Sequence, residues 1–212
     1  MKSIKNIIFD LGGVILNIDY LIVVKSFREL GIDDFDQWYS QKNQGDIFDK
    51  LETGKITPEE FHVEVMKHST KQLNAAEINT AWNSMLLDLP AERIKLLQEV
   101  QKQYRCFLLS NTNEIHIEAY SASIAKKFGS IDIFNQLFEK VYYSSRVGMR
   151  KPNREIFEFV LNENNLIPAE TLFIDDSPQH IEGAKLTGIH TIYLTKGKSI
   201  LDLFDTDHSL IS

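Results

Sequence analysis

The sequence predicts an α/β protein: a Rossmann-like, doubly wound parallel sheet core with an inserted small helical cap domain. Two observations predict this class. Short apolar runs alternate with helical patterns in residues 1–16 and 90–212, whereas residues 17–89 show helical patterns and no convincing strand. Because alternating strands and helices are typical of parallel sheets, we expect the core to comprise residues 1–16 and 90–212, and the cap to comprise residues 17–89.

The predicted strands of the core are short apolar runs bounded by polar residues, as buried parallel strands usually are. The clear runs are IIF (7–9), CFLL (106–109), TLFI (171–174) and TIYL (191–194), and a weaker one is KVYYS (140–144). The single cysteine, Cys106, lies within one of these runs, which favours a buried and inert thiol.

Three helices are predicted between these strands, at residues 91–103, 152–164 and 178–188. Their apolar residues recur at the spacing of one helical face. Those residues are Ile94, Leu97 and Val100 in the first helix, and Ile156, Phe159 and Val160 in the second. The third helix ends at Gly188, a residue that suits a helix stop.

The predicted cap begins with a helix at residues 20–30, which Gly31 would end. Its apolar residues at helical spacing are Leu21, Val24, Phe27 and Leu30. Two further helices open with capping boxes at residues 57–60 and 74–77, where Thr or Asn is followed three residues later by Glu. The second of these places Trp82 on an apolar face, where a role in the cap core is favoured.

The composition restricts the classes of partner. The 212 residues carry a formal charge of −7, and an acidic surface repels both nucleic acid and acidic membranes. One cysteine allows no internal disulfide and no cysteine-rich zinc site, which suits a reducing cytoplasm. The N-terminal apolar run is too short for a signal peptide, and no segment has the length of a membrane span. We therefore expect a cytoplasmic protein, monomer or homodimer, that binds neither nucleic acid nor membrane.

Polar residues follow the predicted strands at the point where each strand ends. These tips are Asp10-Leu-Gly12-Gly13, Ser110-Asn111-Thr112-Asn113, Gly148-Met-Arg150-Lys151-Pro152 and Asp175-Asp176-Ser177. Each tip by itself is better explained as a turn or a helix cap. In an open α/β sheet, however, ligands bind beyond the carboxyl ends of the strands. Together the tips therefore place three carboxylates and a lysine at one edge.

Three carboxylates at one edge repel each other unless positive charge neutralises them. A hard, oxygen-seeking cation such as Mg²⁺ relieves this repulsion, and Lys151 adds one more positive charge. The set suits phosphoryl transfer, because cations offset the charge of the phosphate, Ser and amide donors hold its oxygens, and a carboxylate such as Asp10 attacks in line. The glycines beside Asp10 let a phosphate approach the backbone.

Four motifs in this order resemble the haloacid dehalogenase-like superfamily, in its Mg²⁺-dependent phosphatase branch, over essentially the whole chain. The matching segments are FDLGGV with Asp10, LLSNTN with Ser110, GMRKP with Lys151, and FIDDSPQHIEGA with Asp175 and Asp176. Residues 17–89 lie where this family inserts its helical cap. The DLGGV and GMRKP segments also resemble a bacterial subgroup of sugar-1-phosphate phosphatases, whose substrates are like glucose-1-phosphate.

The resemblance implies catalytic and substrate-binding roles. Asp10 would be the nucleophile that forms an aspartyl-phosphate, which water then cleaves. Lys151 would keep Asp10 ionised and would bind the phosphate. Ser110 and the Asn111 amide would hold the phosphate with it. The implied activity is hydrolysis of a small phosphorylated metabolite, such as a sugar phosphate.

The resemblance also implies a Mg²⁺ site. Asp10, the Gly12 backbone carbonyl and Asp176 would bind the ion, and Asp175 would act nearby, directly or through water. In the cap, the turn at residues 51–57 could point into this site. Lys55 of that turn is therefore a candidate ligand for a sugar or phosphate oxygen, with an exposed turn lysine as an equal alternative.

Position 12 departs from the family pattern. Most phosphatases of the family carry a second Asp two residues after the nucleophile, as general acid and base, and here that residue is Gly12. Loss of a general acid typically costs about 10²–10⁴ in rate. Three explanations stay open: a substrate with a good leaving group, such as an anomeric or acyl phosphate; a substitute such as Asp19, Asn113 or a cap residue; or a protein that binds phosphates without turnover.

Two other functions compete with a phosphatase. A haloacid dehalogenase uses an Asp nucleophile without a metal, but the pair Asp175 and Asp176 would repel its carboxylate substrate. A catalytically weak binding or regulatory protein is suggested by Gly12. Such a protein would not need a nucleophile such as Asp10. Metal-dependent turnover of a phosphate ester separates these functions.

Overall fold

A five-stranded sheet forms the centre of the computed structural model, which describes residues 4–39, 45–130 and 132–211. The strands are β1 (Asn6–Phe9), β2 (Arg105–Ser110), β3 (Lys140–Tyr143), β4 (Thr171–Asp175) and β5 (His190–Tyr193). Their order is β3-β2-β1-β4-β5, and every neighbouring pair is parallel. The predicted α/β class and all the predicted strands, including the weaker one, are confirmed.

Helices connect the strands and fill the segment between β1 and β2. In chain order they are α1 (Tyr20–Glu29), α2 (Phe35–Trp38), α3 (Asp46–Glu52), α4 (Pro58–His68), α5 (Ala75–Asn83), α6 (Ala91–Val100), α7 (Glu114–Phe128), α8 (Ile133–Leu137), α9 (Ser144–Val147), α10 (Arg154–Glu163) and α11 (Pro178–Lys185), with 3₁₀ turns at Pro168–Glu170 and Ile200–Leu203. Within the described ranges, no helix is both long enough and apolar enough to traverse a lipid bilayer.

The sheet is covered by apolar side chains on both faces, because alternate residues of a strand point to opposite sides. On β1, Ile7 and Phe9 pack in a cluster with α6 and α7, whereas Ile8 packs in a second cluster with α10 and α11. This arrangement is the doubly wound core that the sequence predicts. Cys106 is buried in the first cluster, and burial raises the pKa of its thiol to about 12, so the predicted inert thiol is confirmed.

Two predicted helix faces are partly wrong. In α1, Val23 and Phe27 are fully buried, whereas Leu21 is 79% exposed. The run LIVV is apolar on every side of the helix, so spacing alone could not select the face, and packing against α5 decides it. In α10, Phe157 is fully buried, and the predicted Phe159 only packs at the margin of the cluster.

The helices between β1 and β2 enclose an apolar cluster of their own. Aromatic rings dominate it: Phe27 and Phe35 stack at 4.0 Å, and Trp82 is fully buried among them. Both predicted capping boxes form, at the starts of α4 and α5. Trp82 is thus a core residue, as predicted.

The two chain segments that join these helices to the sheet lie side by side. The Asn17 carbonyl accepts from the Leu87 N–H at 2.9 Å, and the Asn17 N–H donates to the Asp88 carbonyl at 2.9 Å. Ile18 and Leu86 form an antiparallel bridge. The division into a core of residues 1–16 and 90–212 and a cap of residues 17–89 stays a prediction.

A second contact between the two parts involves a buried histidine. His116 of α7 stacks on Trp82 at 4.7 Å, and its Nδ1 lies 2.9 Å from Asn83 Oδ1. Burial lowers the pKa of His116 to about 3, so the ring is neutral at pH 7. A neutral ring costs less to bury than a charged one, and the Nδ1 pair with Asn83 offsets part of that cost.

Candidate active site

The polar tips of the strands converge on one cavity beneath the cap helices. Asp10, Ser110, Asn111, Lys151 and Asp176 all line it. Parallel pairing explains the convergence, because the carboxyl ends of β1, β2 and β4 lie at the same edge of the sheet. The structure therefore brings together most of the site residues that the sequence predicts.

Asp10 follows β1 directly and is 6% exposed. Its backbone N–H donates to the Ile174 carbonyl at 3.0 Å, and its Oδ1 accepts from the Leu11 N–H at 2.7 Å. Burial raises the pKa of Asp10, Lys151 lowers it, and Asp175 and Asp176 raise it further, so the pKa lies well above the usual range. The carboxyl group therefore needs additional positive charge before it can act as an ionised nucleophile.

Lys151 supplies the positive charge at the centre of the site. Its side chain is fully buried, and its ammonium lies 2.8 Å from Asp10 Oδ1 and 2.7 Å from Asp175 Oδ2. Burial alone would lower the pKa of Lys151, but the two carboxylates outweigh it and the pKa is raised. The ammonium is therefore charged and shared between the two carboxylates.

Asn111 holds the backbone of Lys151 in place. Its side-chain Oδ1 accepts from the Lys151 N–H at 2.9 Å, and its Nδ2 donates to the Lys151 carbonyl at 2.9 Å. The Asn111 side chain is thus engaged with the backbone of Lys151, and the predicted contact of an Asn111 amide with phosphate stays a prediction. Ser110 lines the cavity, and its hydroxyl makes only a long contact of 3.5 Å with the Asn111 carbonyl, so it is well placed to turn toward a ligand.

Asp175 lies on the inner side of the site. It is fully buried behind Lys151 and does not line the cavity. Its oxygens accept from the Lys151 ammonium, from the Ser177 N–H at 2.7 Å and from His180 Nδ1 at about 3 Å. Burial raises its pKa, but Lys151 and His180 outweigh this and lower the pKa to about 2. Asp175 therefore holds the Lys151 ammonium from behind, and its predicted place near Mg²⁺, directly or through water, stays a prediction.

His180 is a site residue that the sequence reasoning missed. It lines the cavity on α11, with its Nδ1 directed at Asp175. The available signal was the PQH segment, which opens a helix immediately after two acidic residues.

The oxygen donors of the cavity fit Mg²⁺. Asp10, Gly12 and Asp176 line the same wall, and Mg²⁺ prefers carboxylate and carbonyl oxygens. The Lys151 ammonium is shared between Asp10 and Asp175, and Asp176 adds a third carboxyl group, so a divalent cation would balance the charge of the set. A second set of possible ligands, Asp10, Asp175 and His180, also lies within 4.8 Å of one another. In that second set, the Lys151 ammonium lies between the carboxylates of Asp10 and Asp175. The position that a metal ion would take there is therefore already filled by a cation of the protein.

The carboxylate of Asp176 depends on a glycine opposite it. Gly13 has a φ of +75°, and a Cβ built there would overlap Asp176 Oδ2. The absence of a side chain at residue 13 therefore lets Asp176 approach the loop that carries Asp10 and Gly12.

Replacing Gly13 with Ala should weaken Mg²⁺ binding by about 10–100-fold, as is typical when the support of a metal ligand is disturbed. The matched control is Gly129→Ala. Gly129 has a φ of +76°, but nothing lies within 4 Å of its added Cβ. Both variants should lose about 1–2 kcal/mol of folding free energy from the left-handed backbone. Calorimetric titration with Mg²⁺ checks the difference, and equal affinities in the two variants would contradict this role for Asp176.

Three other predicted candidates lie elsewhere. Lys55 is exposed and does not line the cavity; Glu52, three residues earlier, does. Asp19 caps α1, where its Oδ1 accepts from the Leu21 N–H at 2.8 Å. Asn113 caps α7 and accepts from the His116 N–H at 3.1 Å. These two side chains are engaged at helix starts, and neither lines the cavity that holds Asp10.

Comparison with known proteins agrees with this geometry. The model of the haloacid dehalogenase-like hydrolases matches residues 7–194. The chain is 34% identical to D-ribitol-5-phosphate phosphatase of Bacteroides thetaiotaomicron, over 92% of this chain and 93% of that protein. A solved HAD family enzyme from the same organism, in complex with magnesium and inorganic phosphate, is 33% identical with a TM-score of 0.82, over 96% of this chain and 100% of that one.

A HAD-like family hydrolase from Porphyromonas gingivalis is also similar. It is 32% identical with a TM-score of 0.82, and the match covers 92% of this chain and 93% of that one. The family match extends from β1 to just beyond β5, and so includes every strand of the sheet and every tip that lines the cavity. This chain therefore belongs to the haloacid dehalogenase-like hydrolase family.

Proposed function

We propose that this protein is a Mg²⁺-dependent phosphatase that hydrolyses small phosphate monoesters of sugars or sugar alcohols through an aspartyl-phosphate on Asp10. The observation that carries the proposal is the Lys151 ammonium, 2.8 Å from Asp10 Oδ1 in a cavity that Ser110 and Asp176 also line. A nucleophile, a cation and phosphate-binding donors therefore meet in one place.

Each residue has a definite task in the proposed reaction. Asp10 attacks the phosphorus, and the Leu11 N–H and Lys151 hold its carboxylate in one orientation. Lys151 and Ser110 bind oxygens of the phosphate. Bound at Asp10, the Gly12 carbonyl and Asp176, Mg²⁺ would supply further positive charge against the charge of the phosphate. Asp175 holds Lys151 at the distance that this geometry needs.

The substrate class is supported by the relative and by the shape of the site. The similarity to D-ribitol-5-phosphate phosphatase favours a sugar-alcohol or sugar phosphate. Cap-side residues, among them Tyr20, Tyr39 and Glu52, close the cavity over Asp10. Such a closed site suits a small substrate and excludes bulk water. The paired segments at 17–19 and 85–88 are the natural hinge for opening it.

The competing functions fit the cavity less well. A dehalogenase would have to bring a carboxylate substrate against Asp10 and Asp176, both of which line the cavity. A protein that only binds phosphate would gain nothing from the carboxyl groups of Asp10 and Asp176 in the cavity, since their ionised forms oppose anion binding.

Turnover of a phosphate panel tests the proposal. The panel contains p-nitrophenyl phosphate, ribitol-5-phosphate, glucose-1-phosphate and a haloacid, each with Mg²⁺ or with EDTA. We expect phosphate release from the esters that depends on Mg²⁺ and ceases with EDTA, because the carboxyl groups then lack the cation that offsets them. Preference for ribitol-5-phosphate over glucose-1-phosphate would identify the substrate class. Halide release, or no release from any ester, would overturn the proposal.

A further inference from the structure

Glu52 is a buried carboxyl group at the candidate active site, and it has no part in the reaction proposed so far. It is the last residue of α3, is 4% exposed and lines the same cavity as Asp10. The turn that follows it rests on the core: Gly54 has a φ of +65°, and a Cβ there would overlap the Ser145 carbonyl oxygen. The end of α3 is thus pressed against the core, and Glu52 forms part of the cavity wall.

An arginine from the core holds this carboxyl group. Arg150 Nη2 lies 3.0 Å from Glu52 Oε2, and Arg150 Nη1 lies 3.0 Å from Asp49 Oδ1. Arg150 precedes Lys151, which contacts Asp10. The ion pair with Arg150 therefore links Glu52 to the chain segment that carries Lys151. Burial raises the pKa of Glu52, although Arg150 opposes this, and the net shift is upward.

Position 12 carries no acid, and an apolar side chain lies beside it. A Cβ at Gly12 would lie 3.0 Å from Ile18 Cδ1, which is closer than ordinary contact. Ile18 thus fills the space beside Gly12 with an apolar side chain. A proton donor for the leaving group must come from another wall of the cavity.

Other groups around the cavity are poorer proton donors. Burial raises the pKa of Tyr20 and of Tyr120 well above 10. His180 pairs with Asp175 through its Nδ1 and reaches the cavity from α11, which packs on the sheet that also carries Asp10, so it lies on the side of the nucleophile rather than of the leaving oxygen. Among the described residues that line the cavity, the carboxyl groups are those of Asp10, Asp176 and Glu52. The first two serve as nucleophile and metal ligand, which leaves Glu52.

We infer that Glu52 is the general acid and base of the reaction, a role that rests on the proposed phosphatase function. In an in-line displacement the leaving oxygen lies on the side of the phosphorus away from the nucleophile. Asp10 comes from the core, so that side faces the cap, from which Glu52 reaches the cavity.

Glu52 transfers one proton in each of the two steps. When Asp10 forms its bond to phosphorus, the bond to the leaving oxygen breaks, and protonated Glu52 gives its proton to that oxygen to make the alcohol. In the second step the Glu52 carboxylate takes a proton from water as the water oxygen attacks phosphorus. The bond between Asp10 and phosphorus then breaks and inorganic phosphate leaves. Glu52 is again protonated.

The test is Glu52→Gln, measured with a poor and a good leaving group. With ribitol-5-phosphate, kcat/KM should fall by about 10²–10⁴, the usual contribution of a general acid. With dinitrophenyl phosphate, whose leaving group needs no proton, kcat/KM should change far less. Because the variant also lacks the base for the second step, a burst of dinitrophenol, one equivalent per enzyme, should precede slow turnover.

Asp49→Asn is the matched control, because Asp49 pairs with the same Arg150 but does not line the cavity. It should leave the ratio of the two kcat/KM values unchanged. If Glu52→Gln lowers kcat/KM equally for the two esters and shows no burst, Glu52 has only a structural role through its pair with Arg150, and the inference is wrong. An unchanged rate would also overturn it. If the wild-type protein hydrolysed neither ester, the proposed phosphatase function itself would be wrong.

Discussion

Asp10→Asn is expected to lower the rate of phosphate release by about 10⁴–10⁶-fold, which is the scale of losing a covalent nucleophile. The amide cannot attack phosphorus, whereas the groups that bind phosphate are unchanged. Turnover of p-nitrophenyl phosphate with Mg²⁺ measures this loss. Trapping of a phosphorylated enzyme in wild type, and its absence in the variant, reports the intermediate directly.

The variant should stay folded. Burial, Asp175 and Asp176 all raise the pKa of Asp10, so removing its charge relieves repulsion at the site. The free energy of unfolding, measured with urea, should be unchanged or higher than in wild type. Asp36→Asn, at a half-exposed carboxyl group in α2 of the cap, is the control that should keep wild-type activity. Wild-type turnover in Asp10→Asn would exclude Asp10 as the nucleophile.

Lys151→Met is expected to have the largest effect on stability. The ammonium is fully buried between Asp10 and Asp175. Removing one partner of a buried ionic group leaves uncompensated charge and typically costs about 3–5 kcal/mol. Methionine has a similar length and fills most of the same volume, so the loss reports charge more than cavity formation. Urea denaturation at pH 7 measures it.

The control for this variant is Lys185→Met on α11. Lys185 pairs with Glu182 at 2.7 Å, but its side chain is 52% exposed. An exposed ion pair contributes about 0–1 kcal/mol, so this variant should be close to wild type. If the two lysine variants were equally stable, Lys151 would not be the group that holds the carboxylates together. Lys151→Met should also lack turnover, since Asp10 loses its cation.

The sequence predicted much of the site because strand direction is a simple rule. Once β1, β2 and β4 are parallel, the residues that follow them must meet at one edge, and Asp10, Ser110 and Asp176 do so. Strand direction does not predict which of Asp175 and Asp176 faces the cavity. Adjacent residues at a strand end point in opposite directions, and only the packing shows that Asp175 turns inward to Lys151.

The cap residues were predicted least well. The turn after α3 was expected to contribute Lys55 to the site. The residue near this turn that lines the cavity is instead Glu52. A helix end can present either residue to the core, depending on how the helix docks. That docking is set by contacts distant in sequence, such as the approach of Gly54 to Ser145 and the pair between Glu52 and Arg150.

The sequence by itself therefore predicted the parallel sheet and the polar strand tips that carry Asp10 and Asp176, because these follow from local apolar patterns and from the direction of the chain at each strand end. The family was predicted by the resemblance of four motifs in order. Only the tertiary structure showed which carboxylate lies behind Lys151, what the Asn111 side chain holds, and that Glu52 lines the same cavity as Asp10. Those roles depend on distances of a few ångströms between segments that are far apart along the chain, and no local pattern of residues encodes such distances.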